Sequence, residues 1–284
     1  MSRSRIDHVL VWSLRATATF AGAIVLLILV FLVLEALPVL RHVGPLRFFA
    51  DASWHPTEGL YNLTPMLWGT LFTMAGSVLM ATPLGISSAV FCHYYAPPAL
   101  AGLYRRLIEL LAGIPSVVYG LWGLVVLVPL IGRVQPPGAS LLAGVLILTI
   151  MILPTIALMA DASFANVPSE YVRSAHALGM SRWAVIRRVV FPAARSGLFT
   201  GVMLETGRAI GETMAVLMVC GNVVQVPRSV FDPVRTLTAN VALEMAYALG
   251  DHRAALFVSG LVLMAMIVGL VAAADRLSRG HVYD

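Results

Sequence analysis

Long apolar runs separated by short polar segments dominate the chain. Six of them reach the roughly 20 residues a helix needs to cross a hydrocarbon core. They fall at 16–37, 65–92, 107–131, 139–160, 198–221 and 254–274. Proline punctuates them. Pro38 stops the first run, Pro65 and Pro83 lie in the second, Pro115 and Pro129 interrupt the third, and Pro154 sits near the end of the fourth. A proline inside a spanning helix removes a backbone donor and kinks the helix, so these positions predict bends. The first run follows Arg3, Arg5 and Arg15 in the manner of a signal peptide. It continues from Ala16 to Leu34 without a small-residue cleavage site, so a retained helix is expected. The pattern predicts an all-α integral membrane protein with six transmembrane helices, occupying 1–284 as a single transmembrane domain.

The fifth run carries charge. Glu205, Arg208 and Glu212 are spaced three and four residues apart, which puts them on one stripe of a continuous helix. An ionised group at mid-bilayer costs at least about 2.5–3.5 kcal/mol, so the stripe must face protein or water. Arg208 is ten residues past Leu198, about 15 Å along a helix and near the middle of the core. Its planar fork suits two oxygens of an oxyanion. Two readings stand: Arg208 forms a transient anion site in a pathway, or it is an internal ion pair with Glu205 or Glu212. The stripe is formally −1 with all three groups ionised. An anion site therefore needs one glutamate protonated or an arginine from another chain. Gly207 and Gly211 form a small-xxx-small pair that favours close helix packing, or else admits substrate to the backbone. The Thr213 hydroxyl has two candidate partners, an oxyanion or its own i−4 carbonyl. Ser116 and Tyr119 follow the Pro115 break and either line a path or flank a plain kink. Glu109, four residues after Arg105, reads as its surface ion-pair partner.

Composition agrees with the membrane assignment: 59% of residues are hydrophobic and 12% charged, against about 25% charged in soluble domains. All 19 basic residues are arginine, and the missing lysine excludes a Walker A loop, so no nucleotide site is expected in this chain. With the N-terminus inside, twelve arginines fall in cytoplasmic segments and six in outer ones, and Arg208 in the membrane completes the 19. That bias places both termini in the cytoplasm and accounts for the basic pI without nucleic acid. Cys92 and Cys220 have no metal or redox spacing. No histidine lies well inside a span and no G-x-S-x-G occurs, which argues against an intramembrane hydrolase.

The longest inner segment, 161–197, has a helical hairpin pattern. Pro168 fits a helix start with Glu170 in the first turn. Gly179 breaks the run, and Ser181 can cap a second short helix from Arg182 towards Pro192. A basic helix lying on anionic lipid fits the same pattern. Spacing adds a resemblance. Arg173-Ser174-Ala175, three residues, Gly179, nine residues, then Val189-Val190-Phe191-Pro192 resembles the permease motif of binding-protein-dependent ABC importers, with Arg173 where that motif has an acid.

Within that superfamily the chain resembles phosphate permeases of the PstC type. The likeness rests on ATPLG at 81–85, YAPP at 95–98, LIELLAGIPSVVYGLWG at 107–123, ALG at 177–179 and GRAIGETMAV at 207–216. The resemblance implies an ABC importer permease (type I-like) fold with a cytoplasmic coupling-helix hairpin, in a bacterial inner membrane. It implies inorganic phosphate as substrate, with Arg208, Glu212, Glu205, Thr213, Gly211, Ser116 and Tyr119 along the pathway. It implies ATPase coupling through Arg173, Ser174, Ala175, Leu178, Gly179 and Pro192. The implied partners are a PstA-type permease, a PstB-type ATPase dimer and a PstS-type periplasmic phosphate-binding protein. ATP and Mg would be used by the ATPase subunits, while this non-catalytic chain would bind no cofactor and would contact membrane lipid. An importer subunit for another oxyanion or a phosphonate remains an alternative. So does a proton-coupled secondary carrier with Glu205 and Glu212 as a relay, which the intact Gly179-to-Pro192 spacing disfavours.

Overall fold

A computed structural model describes residues 2–279. In chain order its helices are α1 (Ser2–His42), α2 (Arg47–Ala50), α3 (Thr64–Val90), α4 (Pro98–Ala112), α5 (Ser116–Trp122), α6 (Val128–Gly132), α7 (Leu141–Ala165), α8 (Ser169–Ala177), α9 (Arg182–Val185), α10 (Phe191–Gly211), α11 (Met214–Val219), α12 (Leu237–Glu244) and α13 (Gly250–Arg279). Two short strands, β1 (Trp54–His55) and β2 (Leu60–Tyr61), pair antiparallel with Trp54 opposite Tyr61. Among the described residues four helical segments are long and apolar enough to cross a membrane: Asp7–His42, Thr64–Tyr95, Leu141–Ala165 and Gly250–Ala274. A fifth is possible if the bent pair Pro98–Ala112 and Ser116–Gly132 is one span. The third expected run, 107–131, is thus not straight: the chain turns by 92° between its halves. The fifth expected run, 198–221, is divided between α10 and α11 and does not meet the same measure.

Small residues let the central helices approach. A methyl group on Gly76 of α3 would sit 2.8 Å from Val145 Cγ2 of α7, and one on Gly85 2.8 Å from Ile156 Cγ2. In lipid such close approach, rather than a hydrophobic drive, holds helices together. Three buried hydroxyls of α3 bond back into their own helix, Thr70 to Met66 O, Thr73 to Gly69 O and Ser77 to Met74 O, whereas the Thr82 hydroxyl finds no partner among the described residues. The interface therefore carries no unpaired hydroxyl from these three residues. Ile147, Leu148, Met151 and Ile152 of α7 fill the centre.

Three turns widen to the π register, at Phe91–Tyr95, Gly123–Leu127 and Ile186–Val190. Each is closed by an i→i−5 bond, from Ala96, Val128 or Phe191, and in each case the next residue is a proline: Pro97, Pro129 or Pro192. The physical account is local. A prolyl ring has no N–H and collides with the carbonyl four residues back; a turn one residue wider moves that carbonyl aside. At Pro129 and Pro192 the helix therefore continues through the proline instead of ending there. Helix α9, the π turn and α10 form one rod from Arg182 to Gly211, about 45 Å long. The expectation of a short helix ending towards Pro192 is corrected accordingly. Pro83 and Pro154 are carried inside α3 and α7.

The bend after α4 is a true break. Ile114 precedes Pro115, which is extended (ψ 142°) and starts α5. Tyr119 ties the two arms by donating its hydroxyl to Leu111 O at 2.8 Å. At the end opposite the α8–α9 hairpin, Phe48, Trp54, Tyr61, Leu63, Met66, Leu237 and Leu256 form a separate apolar cluster under the β1–β2 turn. There Asp51 accepts from Arg47 Nε at 3.0 Å and from the Tyr61 N–H at 2.9 Å. The Arg47 contact, followed by the Tyr61 N–H, holds the Asp51 carboxyl below its usual range. That contribution is present above the ordinary carboxylate pKa and is lost as pH falls through the lowered value.

Adding one methyl group separates packing glycines from open ones. Gly85→Ala should destabilise the detergent-purified chain by about 1–3 kcal/mol through overpacking. Gly207→Ala, with nothing within 4 Å of the new carbon, should leave the melting temperature unchanged or raise it.

Candidate translocation site and coupling hairpin

Helix α10 stops at Gly211, and Glu212 leaves it with extended backbone angles (φ −66°, ψ 130°). The groups orphaned by the break find partners nearby. The Glu212 carboxylate accepts from the Ala215 N–H at 3.1 Å and so caps α11, while Thr238 of the α12 helix donates to Glu212 O at 2.8 Å. The expected single stripe of three charges is therefore wrong for Glu212. Glu205 and Arg208 share a helical face, but Glu212 lies beyond the helix end. Thr213 bonds Gly211 O at 3.2 Å, two residues back, because the break removes its i−4 helical partner.

Glu205 is buried, its Oε2 has no hydrogen-bond partner, and Arg208 Nη1 stands 3.9 Å from it. That distance permits an ion pair but no hydrogen bond. Thr155 of α7 reaches the same carboxylate. The Arg208 side chain is 39% exposed. It shares an open face with Leu204 and Gly211, and half-buried Gly207 lies beside it. No atom lies within 4 Å of a methyl group built on Gly207 or Gly211, so within this chain neither glycine is a packing contact. The pair's small-residue spacing is therefore not used for packing among the described residues. Gly120 and Gly123 do that work instead: added methyls would meet Ala215 Cα at 2.9 Å and Val219 Cγ1 at 2.9 Å, which seats α5 and the following turn against α11. Ser116 is half-buried at the start of α5, and Tyr119, buried, spends its hydroxyl on the bend and lies within electrostatic range of Arg208.

Two charged clusters escaped the sequence reading. Arg105 pairs with Asp161 of α7 through Nε at 2.8 Å and Nη2 at 3.1 Å, not with Glu109, and Asp161 also accepts from His93 Nδ1 at 3.0 Å. Near the opposite end, buried Glu244 accepts from Trp54 Nε1 at 2.9 Å, Arg235 Nη1 at 2.6 Å and His252 Nε2 at 2.9 Å. Trp54 and Glu244 are separated by 190 residues, so no local spacing announces the contact.

The α8–α9 hairpin has the expected shape. Pro168 precedes α8, Glu170 lies in its first turn, Gly179 takes φ +76°, and Ser181 accepts from the Ala184 N–H at 3.3 Å. Ala175 is buried against the helix ends, whereas Arg173 and Ser174 are exposed and Arg173 Nη2 bonds Ser169. Leu178, 83% exposed at the tip, stands with Tyr171 and Trp183 as an open apolar patch. Pro192 is exposed in the first turn of α10.

Removing one partner of the buried Glu244 cluster leaves charge stranded. Glu244→Ala should destabilise the purified chain by about 3–5 kcal/mol in a denaturant titration, and adding Arg235→Met should recover part of the loss.

Residues 81–280 match the family described as binding-protein-dependent transport system inner membrane component. The chain is 41% identical over 230 residues to a probable ABC transporter permease protein, YqgH, of Bacillus subtilis, covering 79% of this chain and 74% of that one. It is 38% identical over 245 residues to the phosphate transport system permease protein PstC of Mesorhizobium japonicum, covering 79% and 74%. It is 35% identical over 287 residues to that of Haemophilus influenzae, covering 93% and 90%. Among solved structures, a bacterial alginate ABC transporter in complex with its periplasmic protein superposes with a TM-score of 0.68 at 14% identity, covering 94% of each chain. The inward-facing MetNI methionine ABC transporter superposes with a TM-score of 0.62 at 18% identity, covering 77% of this chain and 95% of that one. The coupling-motif spacing, the broken helices and these matches converge: the chain belongs to the family of binding-protein-dependent ABC importer permeases, the inner membrane components of such systems.

Proposed function

We propose that this chain is the membrane-spanning permease subunit of an ATP-driven inorganic phosphate importer, with Arg208 as its phosphate contact. The observation that carries the reading is the state of Arg208. It sits on an open helix face beside two glycines that leave room, and its one ion pair among the described residues is stretched to 3.9 Å. Its fork therefore keeps donors for an oxyanion. Glu205 behind it lowers the local positive field, which suits a site that must release its ligand as well as bind it. The Gly211 and Thr213 segment, freed from helical bonding, and Ser116 across the break form the rest of the wall, with Tyr119 holding the bend and Glu212 holding α11. Relatives that are themselves phosphate permeases support the choice of substrate.

The open Arg208 face is the natural seam for a second permease of the PstA type, which would supply further cationic donors and close the pathway against lipid. The exposed Tyr171, Leu178 and Trp183 suit an apolar groove on a PstB-type ATPase dimer, flanked by Arg173 and Ser174. ATP and Mg belong to that dimer, and a PstS-type protein would deliver phosphate at the opposite end. Both termini then lie in the cytoplasm. The rod from Arg182 to Gly211 joins hairpin and phosphate contact as one body, so closure of the ATPases would move Arg208 directly.

Arg208→Gln should abolish phosphate uptake in reconstituted vesicles while the complex still co-purifies; near-normal uptake would sink the pathway role. Gly179→Asp imposes a strained left-handed conformation on a non-glycine residue. It should leave ATP hydrolysis running with little uptake, measured as phosphate moved per ADP released. Wild-type coupling in that variant would mean that the hairpin merely rests on lipid.

A further inference from the structure

A cavity of about 210 Å³ lies between the coupling hairpin and the end of the α3 helix. His93 and Tyr94 reach it from the π turn after α3, Val172 and His176 from α8, and Arg182 and Ile186 from the rod that leads to Arg208. Two of the three π turns thus border this one space. Its ionisable lining is basic, two histidines and an arginine with one tyrosine, and contains no acid. Arg182 makes no ion pair among the described residues, so none of them neutralises it. His93 is held from behind. Asp161, itself clamped by both donors of Arg105, accepts from His93 Nδ1 and fixes the ring. An ionised carboxylate can only accept, so Nδ1 carries a hydrogen and Nε2 is the atom left for a ligand. Nε2 can accept from the P–OH of a hydrogen phosphate, or donate to a phosphate oxygen when it carries a hydrogen.

We propose that this cavity is a second oxyanion site, on the hairpin side, which takes a phosphate group and restrains the hairpin when filled. The ligand would bridge Arg182 on the rod, His176 on α8 and His93 on the membrane body, three elements that must shift relative to one another for the hairpin to transmit motion. On the phosphate-importer reading, on which this inference rests, the hairpin faces the compartment that receives the product. Free phosphate there would slow its own import. The phosphate group of an anionic lipid headgroup has the same chemistry and is the other source.

The test uses the complete transporter in vesicles loaded with ATP, with its hairpin face inside and labelled phosphate plus the delivery protein outside. Initial uptake is measured across a range of unlabelled internal phosphate, in phosphatidylcholine alone and with added phosphatidylglycerol. Each variant is compared only with its own rate at zero internal phosphate. Internal phosphate should slow the wild type. Arg182→Gln, and separately His93→Gln, should raise the half-inhibiting concentration about tenfold or more, the loss of one charge-assisted contact. A slowing that instead follows phosphatidylglycerol, ignores internal phosphate and is relieved by the same variants would identify the headgroup as the occupant. Equal inhibition in wild type and variants overturns the site, as does no inhibition of the wild type in either lipid. Uptake that is absent from the wild type itself removes the importer reading, and this inference with it. Normal uptake without inhibition removes only the inference.

Discussion

Backbone N–H and C=O groups have no water to turn to in hydrocarbon, and that constraint shapes nearly every irregular feature of this chain. At Pro129 and Pro192, where a proline removes a donor and the helix continues, the preceding turn widens to the π register, while Pro83 and Pro154 are carried within α-helical turns. Where the helix does break, side chains take over. Tyr119 bonds the carbonyl left by the end of α4, Glu212 caps α11, and Thr238 covers the Glu212 carbonyl. These bonds need no water, so the breaks they cover can persist at depth as fixed bends rather than as frayed ends.

A consequence is mechanical. Because the π turn carries the helix through Pro192, the hairpin arm and the Arg208 face are parts of one element from Arg182 to Gly211. A displacement of the hairpin tip cannot be absorbed at Pro192 by a hinge of loop residues. It must appear at the far end of the rod, or as a change in the π turn itself, which is a register that can convert locally. The His93–Asp161–Arg105 cluster anchors the helix ends against which the rod would move.

The charges are arranged by how much freedom each is left. Glu244 has three donors and is locked, and Asp161 has two partners on three bonds. Arg208, by contrast, has one stretched contact and an open flank. A fully satisfied ion pair gains nothing by meeting an anion, whereas a half-satisfied guanidinium does. That difference separates structural charges from the candidate site better than helical spacing does, since the three-and-four spacing grouped Glu212 with the other two.

The apolar runs, the arginine bias and the Ala175-to-Pro192 spacing are local properties, so the sequence by itself determined an all-helical membrane chain, its family and the cap and turn of the hairpin. Gly179 and Ser181 were legible because turn and cap chemistry depends on a few adjacent residues. Register over longer stretches was not. Whether a proline kinks, widens or ends a helix depends on what can fill the orphaned groups, and those partners, such as Thr238 for Glu212, come from distant segments. The same holds for the ion pairs: Arg105 chose Asp161 over Glu109 four residues away, and Glu244 found Trp54 across the chain. Tertiary structure alone decided that Glu212 leaves the charged stripe, that Gly207 and Gly211 open outward, and that one rod joins the hairpin to Arg208, because each depends on which surfaces the other helices leave uncovered.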